Sequence, residues 1–163
     1  MAVETRKHQV EILLVEDNPD DAFLALEAIQ EGPGHCHVTH VMDGVEALAF
    51  LRQEGKYDDA PQPHLVLLDL NLPKIKGLEV LREMKACGGL RSIPVIMMTS
   101  SSDPKDIVDA LNSHAHKYVM KPISVSVLLP LVQDIVRQCQ PSPTSPDDLA
   151  VLDSWIREFE SFG

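Results

Sequence analysis

Short apolar runs rich in β-branched residues alternate along the chain with stretches whose apolar positions recur three and four residues apart. That alternation is the mark of βα units feeding a parallel sheet, and the chain reads as five such pairs. The first predicted strand spans residues 10–15; Asn18-Pro19-Asp20 breaks it ahead of a helix carrying Ala22, Leu26 and Ile29, which Gly32-Pro33-Gly34 ends. The second pair is a strand over 38–42 and a helix over 44–52. A polar loop, 53–64, leads into Leu65-Val66-Leu67-Leu68, an unbroken apolar run suited to a central strand buried on both faces. The third helix covers 77–86 and stops at Gly88-Gly89. Strand four covers 95–99, after which Ser102 or Asp103, with Pro104 in the first turn, caps a helix to about residue 112. Strand five is the short 117–120. The fifth helix, 124–138, contains Pro130, which lacks a backbone donor and should kink the helix or shift its start.

Beyond Cys139 the pattern changes. Pro141-Ser142-Pro143-Thr144-Ser145-Pro146 has the composition of a semi-rigid linker, and Leu149, Leu152, Ile156 and Phe159 then fall on one helical face. The expected organisation is a domain over 9–140, a Pro-rich linker over 141–146 and an amphipathic helix over 147–163. Its apolar stripe favours docking on the domain or on a second copy, because an isolated helix of this length is marginal in water.

Composition narrows the function. A chain of 163 residues can bury one sizeable core. No apolar run approaches the roughly 18 residues of a membrane span, so no membrane association and a cytoplasmic location are expected. Cys36, Cys87 and Cys139 are too scattered for a disulfide framework or a zinc site. The formal net charge of −11 works against nucleic-acid binding, which depends on Lys and Arg meeting phosphates. Proteins and cations are the partners that suit it.

Functional groups of an open parallel sheet gather at the carboxyl ends of its strands. Here strand one runs into Glu16-Asp17, strand three into Asp69, strand four into Thr99 and strand five into Lys121-Pro122. Three carboxylates at one rim repel unless a cation or raised pKa values relieve them. Mg²⁺ suits them, since it takes carboxylate oxygens and keeps waters that a phosphate oxygen can replace. An Asp nucleophile beside a metal, the Lys121 ammonium and the Thr99 hydroxyl make a set for phosphoryl transfer. Taken singly, each has an ordinary reading: a solvated helix-entry turn for Glu16-Asp17, a turn cap for Asp69, a surface charge for Lys121, a strand end for Thr99. Order and spacing carry the argument. His35-Cys36-His37 with His40, and His114 with His116, match no recognised metal spacing and read as strand and loop histidines.

Leu13-Leu14-Val15-Glu16-Asp17-Asn18, Leu67-Leu68-Asp69-Leu70-Asn71-Leu72-Pro73, Met97-Met98-Thr99-Ser100 and Tyr118-Val119-Met120-Lys121-Pro122 together resemble the motif set of two-component response-regulator receiver domains. The resemblance covers about residues 10–139. It implies a doubly wound, flavodoxin-like α/β fold with a five-stranded parallel sheet of order 2-1-3-4-5. It further implies phosphotransfer from a phosphohistidine of a sensor histidine kinase to Asp69 and slow self-catalysed hydrolysis, in a signalling protein rather than an enzyme. By position, Asp17, Asp69 and the carbonyl of Asn71 would bind Mg²⁺, with Glu16 reaching it through water. The peptide between Lys121 and Pro122 would be cis, and Thr99 and Tyr118 would move as a switch; a half-buried strand aromatic is the other reading of Tyr118.

A finer likeness is to the small regulators of bacterial phytochrome kinases, carried by residues 50–57, by Leu90-Arg91-Ser92-Ile93-Pro94 and by His114-Ala115-His116-Lys117-Tyr118. It suggests a homodimer through the fourth and fifth helices and the fifth strand, with Ile107, Leu111, Val125 and Leu129 contributing. Lys76 and His64 depart from the acidic residues common at their positions. Ser101 and Asn71 flank the place of an attacking water. Two other readings were weighed: a phosphatase with an Asp nucleophile, and an interaction module that does not use phosphorylation. In haloacid-dehalogenase-like enzymes the nucleophilic Asp comes first within Asp-x-Asp, whereas here the acidic pair comes first and Asn71 stands in place of the second Asp. The third reading sits poorly with a chain that keeps every acceptor and metal carboxylate.

Overall fold

A computed structural model describes residues 10–31, 36–100, 105, 108–109, 112 and 114–139. The elements are β1 (Val10–Val15), α1 (Pro19–Glu31), β2 (Cys36–Val41), α2 (Gly44–Arg52), a 3₁₀ turn (Gly55–Tyr57), β3 (Leu65–Asp69), α3 (Gly77–Ala86), β4 (Val95–Thr99), β5 (Lys117–Met120) and α4 (Val125–Cys139). Lys105, Val108, Asp109 and Asn112 are helical as well. The strands form one parallel sheet of order β2-β1-β3-β4-β5.

Alternation along the strands divides the interior in two. Leu13, Val15, Val66, Leu68, Val95 and Met97 face α2 and α3 on one side, and Ile12, Leu14, Leu65, Leu67, Ile96 and Met98 face α1 and α4 on the other. Every residue of β3 and β4 is buried, as strands covered on both faces require. Each enclosed Leu or Met contributes roughly 1.5 to 3 kcal/mol of transfer free energy. Register then sets the rim. Val15 lies level with Val41 and Leu68, Asp69 with Met98, and Thr99 with Met120. The residues that follow or end these strands therefore emerge side by side at one edge.

Four expectations shift. β2 starts at Cys36 and ends at Val41, rather than spanning 38–42. Cys36 and His37 already pair with Val10 and Glu11, and Asp43 must turn the chain to cap α2, its side chain accepting the Glu46 N–H at 2.8 Å. β3 runs one residue further, to Asp69, because the Leu70 N–H continues the ladder to the Met98 carbonyl at 2.8 Å. The polar loop over 53–64 contains the 3₁₀ turn, whose Tyr57 ring packs edge-on against Phe50 at 5.3 Å while Lys56 pairs with Glu46 at 3.2 Å. Finally, α4 begins at Val125 and ends at Cys139, one residue later at each end than expected, and runs through Pro130. The carbonyl left without its donor belongs to Ser126, which is exposed to water, so the loss is small.

The predicted Gly32-Pro33-Gly34 stop, the helix cap at 102–104, Ile107 and Leu111, the linker over 141–146 and the helix over 147–163 lie outside the described residues. Among the described residues no helix is long and apolar enough to cross a membrane.

Candidate functional site

Glu16 follows β1 directly and its backbone is held on both sides. Its N–H donates to the Val41 carbonyl at 3.1 Å, and its own carbonyl accepts from His40 Nε2 at 2.7 Å. The side chain is fully buried, with Oε2 accepting the Asn18 N–H at 3.1 Å. Asn18 Oδ1 in turn caps α1, accepting from the N–H groups of Asp20 and Asp21 at 2.9 and 3.2 Å. Asp17, between them, is exposed. Asp69, at the end of the fully enclosed β3, is 2% exposed; its Oδ1 accepts the Asn71 N–H at 3.0 Å. Glu16, Asp17 and Asp69 each place a carboxylate oxygen within 4.8 Å of the others.

Lys121 enters from β5. Its N–H donates to the Thr99 carbonyl at 2.7 Å and its peptide with Pro122 is cis. Nζ lies 2.8 Å from Glu16 Oε1, 2.9 Å from Asp21 Oδ2 and 3.2 Å from Asp69 Oδ2. Asp17, Asp21, Asp69, Asn71, Ser100 and Lys121 line one open pocket. Thr99 is fully buried at the end of β4 beside it. Tyr118 is half-buried and packs against the cluster on the α2 and α3 side of the sheet. All the residues expected at the strand ends thus meet at one rim, with Tyr118 one strand-length behind it.

Burial pushes the Glu16 carboxyl up to about 7, with Asp69 adding to the rise and the Lys121 ammonium opposing it. For Lys121, burial pulls the pKa down, but Glu16, Asp21 and Asp69 outweigh it and the net shift is upward. The ammonium therefore stays charged. Glu16 Oε1 is buried and meets the Lys121 ammonium at 2.8 Å, with no other partner among the described residues. Such an oxygen, with two further carboxylates beside it, is the hard donor set that divalent cations of the Mg²⁺ and Mn²⁺ kind take.

Three contacts escaped the sequence. Asp21 reads as a first-turn acidic residue, which a helix N-terminus favours by itself, and its approach to Lys121 depends on how α1 leaves the rim. His37 and His40 are strand residues and His114 and His116 loop residues as expected, while His35 lies outside the described residues; the partners follow from register: His37 Nδ1 meets Glu11 Oε2 at 2.8 Å, and His64 Nδ1 accepts the Glu11 N–H at 3.0 Å. No spacing along one strand reveals a partner on the next.

The loop after Asp69 is held by a close approach. A Cβ on Gly77 would meet the Asp69 carbonyl oxygen, with Leu70 Cα only 2.8 Å away, while the Gly77 N–H bonds the Leu70 carbonyl at 3.0 Å. Gly77→Ala must therefore displace backbone at the acidic site. It is expected to lower stability by about 1 to 3 kcal/mol and to weaken divalent-cation binding, measured by urea denaturation and by a Mg²⁺ titration of the melting midpoint.

Comparison with known proteins agrees with the fold. The response regulator receiver domain profile matches residues 12–133, and the chain belongs to that family. The response regulator Rcp1 of Synechocystis is 40% identical over 124 residues, covering 76% of this chain and 84% of the relative. Among solved structures, the Mn²⁺-bound form of Rcp1 superposes with a TM-score of 0.71 at 37% identity, covering 84% of this chain and 99% of the other. The phosphorylated cyanobacterial phytochrome response regulator RcpA gives 0.71 at 40% identity over 85% and 99%. The bacteriophytochrome response regulator AtBRR gives 0.68 at 41% identity over 78% and 92%. The chain is thus a receiver of two-component signalling, the module that accepts a phosphoryl group, and it resembles the regulators of phytochromes. A phosphatase of the haloacid-dehalogenase kind is set aside by this membership.

Proposed function

We propose that Asp69 is the phosphoacceptor, taking its phosphoryl group from a phosphohistidine of a sensor histidine kinase of the phytochrome class, in the cytoplasm. The contact that carries this reading is Lys121 Nζ at 3.2 Å from Asp69 Oδ2, beside the three clustered carboxylates. A carboxylate oxygen of Asp69 attacks phosphorus, the O–P bond forms as the N–P bond to the donor imidazole breaks, and that nitrogen keeps the electron pair. Lys121 meets the negative charge on the phosphoryl oxygens, and the Thr99 hydroxyl adds a hydrogen bond to them. Asp17, Asp69 and the carbonyl of Asn71 would hold Mg²⁺, with Glu16 behind them. The bound ion supplies charge neutralisation during transfer. Hydrolysis is self-catalysed, with Asn71 beside the water; Ser101, the other expected flanking residue, lies outside the described residues. Thr99 and Tyr118 move together as the switch, a role that the half-buried position of Tyr118 suits.

Phosphoramidate with Mg²⁺ is expected to add the mass of one phosphoryl group to the wild type and none to Asp69→Asn, read by intact-protein mass spectrometry. An unlabelled wild type would sink the reading.

The output is a protein contact, and a homodimer through β5, α4 and the preceding helical residues is part of the proposal. Val108, Met120 and Val127 are the exposed apolar side chains there, whereas Val125, expected at the contact, packs partly on the domain's own core. Sedimentation at micromolar concentration should show a dimer that Val127→Asp and Met120→Asp together dissociate; a monomer throughout would remove it.

A further inference from the structure

Among the described residues Lys121 has three carboxylate partners, and the phosphoacceptor chemistry accounts for two of them, Glu16 and Asp69. The third, Asp21, sits in the first turn of α1 with its Oδ2 at 2.9 Å from Nζ, half-buried at the wall of the same pocket. The geometry points to Asp21 as a positioning and specificity-determining residue: it holds the Lys121 ammonium at the pocket wall and discriminates against phosphoryl donors of high negative charge. This inference rests on the phosphoacceptor reading of Asp69.

The charge inventory explains why. Asp17, Asp21 and Asp69 line the pocket with Lys121, and Glu16 pairs with the same ammonium at 2.8 Å. A donor brings further negative charge to Asp69, and the group that must greet it is already shared three ways. Asp21 contributes nothing to the O–P bond that forms or the bond that breaks. It acts by setting how much of the Lys121 charge is free and by adding a negative wall beside the path of entry. Its neighbour Asp20 lies in the same helical turn but is exposed, with no ion pair to Lys121, and so reports on the helix terminus alone.

The test compares two small donors at saturating Mg²⁺ and neutral pH. In acetyl phosphate the Asp69 oxygen displaces acetate, which leaves with the P–O electron pair; phosphoramidate releases ammonia and carries one negative charge fewer. Asp21→Asn is expected to speed phosphorylation by acetyl phosphate at least about threefold at low ionic strength, with a smaller gain for phosphoramidate. The gain should shrink as salt is added. Asp21→Glu should restore the wild-type rate, and Asp20→Asn should leave it unchanged. Independently of any donor, NMR of the Lys121 ammonium should show its protons exchanging with water faster in Asp21→Asn than in the wild type. Unchanged ammonium exchange, or a rate change equal for both donors and insensitive to salt, overturns the role of Asp21. If the wild type accepts a phosphoryl group from neither donor, the phosphoacceptor reading fails, and the ammonium measurement still decides whether Asp21 holds Lys121.

Discussion

Asp69→Asn is expected to melt above the wild type when both are free of metal, although the substitution removes the proposed acceptor. Asp69 is buried, and a carboxylate oxygen of Glu16 and of Asp17 lies within 4.8 Å of one of its own, so the fold holds repelling groups that function requires. The substitution keeps the shape and deletes one charge. It also loosens one contact to Lys121, but Glu16 and Asp21 still hold the ammonium at 2.8 and 2.9 Å. The balance favours the variant by about 1 to 2 kcal/mol, the scale of one close like-charge pair near a protein surface after partial screening. Added Mg²⁺ should raise the wild-type midpoint, by about 2.7 kcal/mol at a hundredfold excess over Kd, and Asp17→Asn should lose most of that gain. Calorimetric melts of the three proteins with and without Mg²⁺ check it. Coincident melts of wild type and Asp69→Asn, unmoved by Mg²⁺, would mean that the carboxylates do not act as one site.

The opposite sign is expected for Lys121→Met. Glu16 and Asp69 are almost wholly enclosed, and Lys121 is the ammonium within 3.2 Å of both. Removing one partner from a buried charge cluster costs about 3 to 5 kcal/mol, because the remaining charges are left uncompensated. The loss should depend on pH in a definite direction. Glu16 has its folded pKa raised from 4.5 to about 7, so between those values the folded protein binds a proton that the unfolded chain has released. Metal-free stability therefore increases as pH falls from about 7 toward 4.5, by at most about 3 kcal/mol for this group. Lys121 restrains that pKa, so the variant should recover more in acid than the wild type gains. Urea denaturation of the metal-free proteins at roughly pH 8 and pH 5.5 measures both. A variant as stable as the wild type at the higher pH would show that the ammonium does not compensate Glu16 and Asp69.

Much of this site is legible in the chain because it sits where apolar runs stop. β1, β4 and β5 have the bounds read from the sequence, and the residue after each is a rim residue: Glu16, Ser100 beside Thr99, and Lys121. α2 and α3 are equally plain, bounded by Gly44 and Gly77, each of which leaves no room for a Cβ. β2 is less legible, since an edge strand with His37 and His40 lacks a continuous apolar run and takes its bounds from pairing with β1. The 3₁₀ turn over Gly55–Tyr57 is held by Glu46 and Phe50 from another element, and polar composition conceals it. Asp21 was invisible for a related reason: its role depends on a lysine a hundred residues later in the chain, and only the register of β1, β3, β4 and β5 brings the two together.

The five strands are unequally anchored. β3 and β4 are buried at every position, whereas β5 exposes Lys117 and Met120, half-exposes Tyr118 and sinks only Val119. The proposed acceptor thus stands at the tip of an unyielding central plank, while the lysine that would answer it hangs from a loosely buried edge strand. Local opening costs least where few apolar contacts are at stake. On the proposed chemistry, a new charge at Asp69 would have little purchase on β3 itself, and its pull would pass through Lys121 to the outer margin of the sheet. The stiff middle acts as an anvil, and whatever a partner reads of the event is written at the border that gives way.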